Sequence, residues 1–166
     1  MRAISFSVDG KTVPWARAGR RGGFSYTPTH VRRYQDWVKV CASQAMQGRT
    51  LLEGPLCLSA WFVLPVSSSW PAWKQDAALQ GLVMPTARPD LDNMVKAIED
   101  ACNLVVWKDD AQIVEMQTNK AFGEKPRVDV HVEPLHCITS AAAWKEHKRR
   151  QALVQEPGDL FDAAAE

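Results

Sequence analysis

The sequence predicts an α+β fold: a single compact domain over residues 1–135, with a mixed β-sheet flanked by two main helices, and a C-terminal helical or flexible extension over 136–166. Three observations carry this prediction. Residues 3–8 and 127–134 alternate apolar and polar side chains with the period of a half-buried strand. Residues 31–45 and 94–102 place apolar side chains three and four apart, the spacing of amphipathic helices. Beyond Pro134 the chain turns polar and alanine-rich, and the remainder is too short for an independent core.

Residues 3–8 (AISFSV) read as a first strand closed by an Asp9-Gly10 turn. Residues 11–26 interleave Pro14, Gly19, Gly22 and Gly23 with Arg17, Arg20 and Arg21, the composition of a positively charged loop. Thr27 before Pro28 reads as an N-cap followed by proline at the first helical position. Val31, Tyr34, Trp37, Val38, Cys41 and Ala45 then form the apolar stripe of a helix ending at Gly48, with Arg32, Arg33 and Lys39 off that stripe. Residues 55–66 (PLCLSAWFVLPV) read as a buried strand. Residues 67–89 are mixed, with a short helix over 72–79 and with Trp70 and Trp73 beside prolines as exposed aromatics.

Helical spacing returns over 91–103 through Met94, Ala97, Ile98, Ala101 and Cys102. Residues 104–107 (LVVW) read as a short strand and 111–122 as a longer one. The strand at 127–134 reads as its antiparallel hairpin partner across a turn at 123–126. Ser140 is the expected cap of a last helix, basic at 145–150, ahead of a loose acidic end.

Apolar residues make up 46% and charged residues 23% of the 166, which excludes wholesale disorder and fibrous repeats. No apolar run reaches the ~18 residues of a bilayer span, and the start MRAISFSVDG lacks a signal-peptide core, so the expectation is a cytoplasmic protein with no membrane partner. Four cysteines stand singly with no CxxC pair, which excludes a standard zinc site by spacing; they read as reduced, buried thiols. The net charge is only +1, but its distribution is uneven. Residues 1–50 hold nine Lys and Arg against two acids, and residues 90–115 hold seven acids against two lysines. Basic groups hold a polyanion while acids hold metal ions that let it approach; the plainer reading of such segregation is a solvated surface.

The most informative stretch is Arg88-Pro89-Asp90-Leu91-Asp92-Asn93-Met94-Val95-Lys96. Carboxylates two residues apart are about 200° apart around a helix but share a face of an extended chain. Pro89 places the pair where extended chain enters a helix, so Asp90 and Asp92 can point one way. One aspartate suffices for a cap; the second asks for another role. Lys96 and Asp100 follow at four-residue steps from Asp92 along one stripe. Asp109 and Asp110, read alone, form a turn; placed at one mouth of the sheet, one of them meets Asp90 and Asp92. Three clustered carboxylates repel unless cations lie between them, and an all-oxygen set suits Mg²⁺ and not zinc.

The run RPDLDNMVKAIEDACNLVVWKDDAQIVE resembles the RusA family of Holliday-junction resolvases, endodeoxyribonucleases common in bacteriophages and prophages. The likeness rests on the Asp-Leu-Asp-Asn start, the lysine four residues after the second aspartate, and Asp-Asp-Ala-Gln-Ile-Val beyond the helix. ISFSVDGKTVPWAR and TPTHVRRYQDWV are similar to the family's first strand, basic loop and first helix, so that the likeness covers about residues 2–134. It implies a homodimer that binds four-way DNA junctions in recombination and repair, nicking opposing strands with Mg²⁺, for which Mn²⁺ substitutes. It also implies a place in the cytoplasm of a bacterial host or phage-infected cell. By position it implies Asp90, Asp92 and Asp110 as metal ligands and, with Lys96, as the catalytic set. Arg17, Arg20, Arg21, Arg32 and Arg33 are candidate DNA-backbone contacts, and Trp15 and Phe24 candidate base-stacking groups. The competing readings are a nuclease of forks and flaps, a junction-binding protein that does not cleave, and a phage structural protein, against which the acid–lysine constellation argues.

Overall fold

The computed structural model describes residues 3–16, 19–21, 24–138 and 140–154, with backbone alone at 19–21, 24–26 and 152–154. The chain divides into two compact units, Met1–Leu135 and His136–Glu166. The first contains β1 (Ile4–Asp9), β2 (Gly19–Arg21), β3 (Phe24–Tyr26), α1 (Thr29–Met46), β4 (Leu56–Pro65), α2 (Ala72–Leu79), α3 (Leu91–Cys102), a 3-10 turn (Asp110–Gln112), β5 (Ile113–Gly123) and β6 (Arg127–Pro134). The second contains α4 (Ala141–Val154), where Ser140 Oγ accepts from the Ala143 N–H at 3.1 Å as the expected cap. No helix among the described residues is long and apolar enough to cross a membrane.

The main sheet has strand order β1-β6-β4-β5 and is antiparallel except for the parallel β4–β5 pair, so the class is α+β with a mixed sheet. On β4, Leu56, Leu58, Ala60, Phe62 and Leu64 point to one face and are buried, while Cys57 and Ser59 on the other face are buried as well. A strand buried on both sides takes a central place in a sheet. That requirement overturns the expected hairpin: β5 and β6 are joined by a short turn, but β4 lies between them and pairs with both. Gly123 permits the tight end of β5, because a Cβ there would collide with Val63 of β4.

Helices α1 and α3 cover the inner face through Tyr34, Val38 and Ala42 from one and Met94, Ile98 and Ala101 from the other, all in one buried cluster with β4 and the valines of β6. Burying each large apolar side chain contributes roughly 1.5–3 kcal/mol. The outer face is polar. Ser5 Oγ meets His131 Nδ1 at 2.7 Å, Ser7 Oγ donates to Asp129 at 2.6 Å, and Arg127 pairs with Asp129 at 2.8 Å.

Five local expectations change. Thr27 does not cap α1: Pro28 holds the N-cap position without a side-chain bond. Trp37 is 47% exposed, since it precedes Val38 by one residue and is turned ~100° from the buried stripe. Residues 104–107 are a turn rather than a strand, with Leu104 at φ 60° and the Val105 and Val106 N–H groups returning to the Cys102 carbonyl. The segment expected as loop contains the β2–β3 ribbon. Cys57 and Cys102 are buried, whereas Cys41 is half-buried and Cys137 exposed.

Ile98→Ala removes a fully buried side chain where α3 meets the sheet. It is expected to lower stability by about 2–5 kcal/mol, read as a reduced urea midpoint with unchanged slope.

Candidate functional site

The Asp90–Asp92 pair stands where the chain passes from extended to helical. Asp90 has φ −73° and ψ 142°, the geometry of an N-cap residue, yet its carboxylate makes no cap hydrogen bond. Asp92, in the first turn, has a long contact at 3.4 Å from Asn93 Nδ2. Both are exposed at the positive end of α3. The capping role that would explain these acids structurally is therefore not what they do.

Two contacts hold this entry in place. Lys120 Nζ on β5 donates to the carbonyls of Ala87 at 3.0 Å and Pro89 at 2.9 Å. The Trp15 N–H donates to the Asn93 carbonyl at 2.7 Å. Sequence reasoning missed Lys120. Its signal was a lysine at an inward-facing position of a strand, paired in register with buried Phe62. Lys11, Trp15 and Arg88 join Asp90 around a cavity of about 420 Å³. Lys11 from the first fifty residues and Arg88 from the loop before α3 thus border the start of the acidic segment.

Along α3, Lys96 Nζ is 3.7 Å from Asp100 Oδ1 and 5.6 Å from the centroid of the Trp15 ring. Gln35 on α1 donates to the other Asp100 oxygen at 3.3 Å. Asp110 Oδ1 accepts from the indole N–H of fully buried Trp107 at 2.8 Å. Burial raises the carboxyl pKa of Glu99 above its ordinary value, and the charge of Asp110 adds to the shift. Asp110 belongs electrostatically to the last turns of α3, beside Glu99 and Cys102.

The neighbouring aspartates have different work. Asp109 accepts from the Ala111 N–H at 2.8 Å in a reciprocal capping box with Gln112. The Gln112 amide accepts from the Lys108 and Asp109 N–H groups and donates to the carbonyls of Leu52 and Gly54. Asp109 is thus part of the turn, and Asp110 is the one turned toward α3.

The structure places Asp92, Lys96, Glu99 and Asp100 along one stripe of α3, with Asp90 at its start and Asp110 toward its other end. It does not gather Asp90, Asp92 and Asp110 into one pocket. Among the described residues, no group of three His, Cys, Asp or Glu side chains is close enough to hold a metal. Two carboxylates still fit Mg²⁺, which characteristically binds one or two protein carboxylates and fills its shell with water and substrate phosphate. Arg32 and Arg33 are exposed on α1. Arg17 and the side chains of Arg20, Arg21 and Phe24 lie outside the described residues.

The sequence model of the family described as Endodeoxyribonuclease RusA matches residues 10–133. The YqaN protein of Bacillus subtilis (strain 168) is 34% identical over 140 residues, covering 80% of this chain and 96% of that protein. The crossover junction endodeoxyribonuclease rusA of Lactococcus phage r1t is 33% identical over 81 residues, 47% of this chain and 53% of that one.

Glu99 generates a pH prediction. A carboxyl whose pKa is raised on folding leaves stability intact below its unfolded value and lowers it as pH rises through the folded one. Glu99→Gln is expected to melt above the wild type at pH 7 and together with it near about pH 3, below the ordinary carboxyl range. Equal melting temperatures at both pH values would contradict the burial argument.

Proposed function

This chain belongs to the RusA endodeoxyribonuclease family, and on that premise we propose that it is a Mg²⁺-dependent resolvase that nicks opposing strands of four-way DNA junctions. The observation that carries the reading is the pair Asp90 and Asp92. An N-cap carboxylate that does no capping, next to a second acid and bordered by Lys11 and Arg88, is built to meet something other than its own helix.

Asp90 and Asp92 would hold the ion, with Mn²⁺ as a substitute. When bound, it supplies a Lewis acid for the scissile phosphate and lowers the pKa of its water. Lys96 extends from the same stripe, half-exposed, and offers positive charge or a proton where negative charge develops on the phosphate oxygens. Asp110, whose Oδ1 accepts from Trp107, stands apart from the pair and is the third carboxylate of the set that the family likeness implies, a role that the Asp110→Asn variant below decides. Lys11, Arg88, Arg32 and Arg33, with Arg17, Arg20 and Arg21, hold the DNA backbone by charge and fix its register. A substrate with two related strands to cut calls for a two-fold dimer with one active site per subunit. The cytoplasm of a bacterial or phage-infected cell is where such DNA is met. Residues 1–135 are the nuclease domain, and 136–166 an extension to it.

Purified protein incubated with a mobile four-way junction, a fork, a flap and linear duplex, with Mg²⁺ or EDTA, tests this directly. Symmetric nicks in the junction are expected with Mg²⁺ alone. Asp92→Asn and Lys96→Ala should abolish nicking and leave junction binding largely intact. Asp110→Asn, which keeps the oxygen that Trp107 needs, separates a chemical role from a structural one: full nicking by that variant removes Asp110 from the catalytic set. Faster cutting of forks or flaps would identify the alternative nuclease reading, and metal-independent binding without cuts the non-cleaving one.

Replacing Arg32 and Arg33 by alanine is expected to weaken binding to every DNA alike. The slope of log affinity against log salt should fall by about 0.9 for each phosphate no longer neutralised, as read by fluorescence anisotropy.

A further inference from the structure

A second cavity, of about 500 Å³, opens beside the Asp90 cavity and shares Lys11, Arg88 and Pro89 with it. One side is aromatic: Trp70 and Phe122 meet edge to face, their ring centroids 5.3 Å apart at 79°. Phe122 belongs to β5, two residues beyond Lys120, and the Trp70 carbonyl accepts from Gln75 Nε2 at 2.7 Å. The rim is cationic, formed by Lys11, Lys74 and Arg88, and no acid among the described residues lines the cavity. Lys74 Nζ lies 4.0 Å from the centroid of the Trp70 ring. A cation over the half-buried indole is held by about 0.5–2 kcal/mol and a stacked base by about 1–3 kcal/mol, so a base arriving at that face displaces the ammonium toward the rim.

An aromatic wall beneath a ring of positive charge, without acids, matches a flat π-system attached to phosphates. We propose that this cavity receives one unstacked nucleobase of the DNA, from a nucleotide next to the phosphate held at the start of α3. The inference rests on the nuclease reading for its substrate and adds a cause for choosing branched DNA. A base within continuous duplex is stacked on both sides and cannot reach Trp70. A branch point already presents bases with one free face, so the unstacking cost is small there and large in linear duplex. Lys120 fastens Ala87 and Pro89 to the strand that carries Phe122, so base cavity and Asp90 keep a fixed separation.

The test reads binding in EDTA, so that it does not depend on cleavage. Full-length protein is titrated with a four-way junction, with the same junction made abasic at each branch-point nucleotide in turn, and with linear duplex. Trp70→Leu is expected to bind the intact junction about tenfold more weakly, the scale of one base–aromatic stack, and linear duplex within about twofold. One abasic position should cost the wild type the same factor and the variant nothing, the signature of direct coupling in a thermodynamic cycle. Trp70→Phe, which keeps a ring, should restore most of the loss. Val83→Trp, filling the cavity from its rim, should reproduce it with Trp70 in place, so a poorly folded Trp70→Leu does not blunt the test. Equal junction affinity for Trp70→Leu and wild type, or equal losses on junction and duplex, would overturn the proposal and would fit a cavity used by a protein partner. Trp70–base coupling in a protein that never nicks with Mg²⁺ would sink the nuclease reading and leave the base cavity standing.

Discussion

The ammonium of Lys120, shared between the carbonyls of Ala87 and Pro89, is the contact on which the geometry of the site depends. It joins the edge strand of the sheet to the chain immediately before α3. Hydrogen bonds from a charged donor are the stronger kind, and these two satisfy backbone acceptors that an irregular segment leaves without ladder partners. With the Trp15–Asn93 backbone bond on the other side, the entry into α3 is held from two directions. Asp90 and Asp92 can therefore be exposed and uncapped without the helix start fraying, since its position is fixed by groups other than their own carboxylates.

The acidic stripe would be unfavourable were it left alone. Its charges are moderated piecemeal: Lys96 and Gln35 each take one oxygen of Asp100, and Trp107 takes one of Asp110. Glu99 is the member that burial presses hardest, and its carboxyl responds with a raised pKa.

What could be read in the sequence was whatever depends on neighbours along the chain. The α3 stripe from Met94 to Cys102 is buried as its spacing dictated, and the Asp-Leu-Asp-Asn run stands at a helix start because Pro89 imposes it. What depended on distant partners was hidden. Spacing alone placed Trp37 on the buried side of α1, because the width of the covered face is set by the sheet beneath it. The alternation of residues 127–134 correctly gave a strand, but the strand's neighbour was decided by the need of β4 for cover on both edges. Asp109 and Asp110 are told apart in sequence only by the family likeness and not by spacing; in the structure a capping box with Gln112 claims one and a buried indole the other. Lys120 was legible only as a charge in an apolar register, without any hint of the two carbonyls it serves.

The long connection from β4 to α3 carries the Trp70 side of the second cavity, while the acids belong to α3 and the turn before β5. On the reading proposed above, the acids that would do the chemistry and the ring that would receive a base lie on different stretches of polypeptide, joined through Lys120 and the Trp70–Phe122 edge contact. Surface connections accept changes of length and composition that packed elements do not. If that division holds, a lineage built on this plan could remodel the DNA shape it favours by editing that one excursion while the acids of α3 stay as they are.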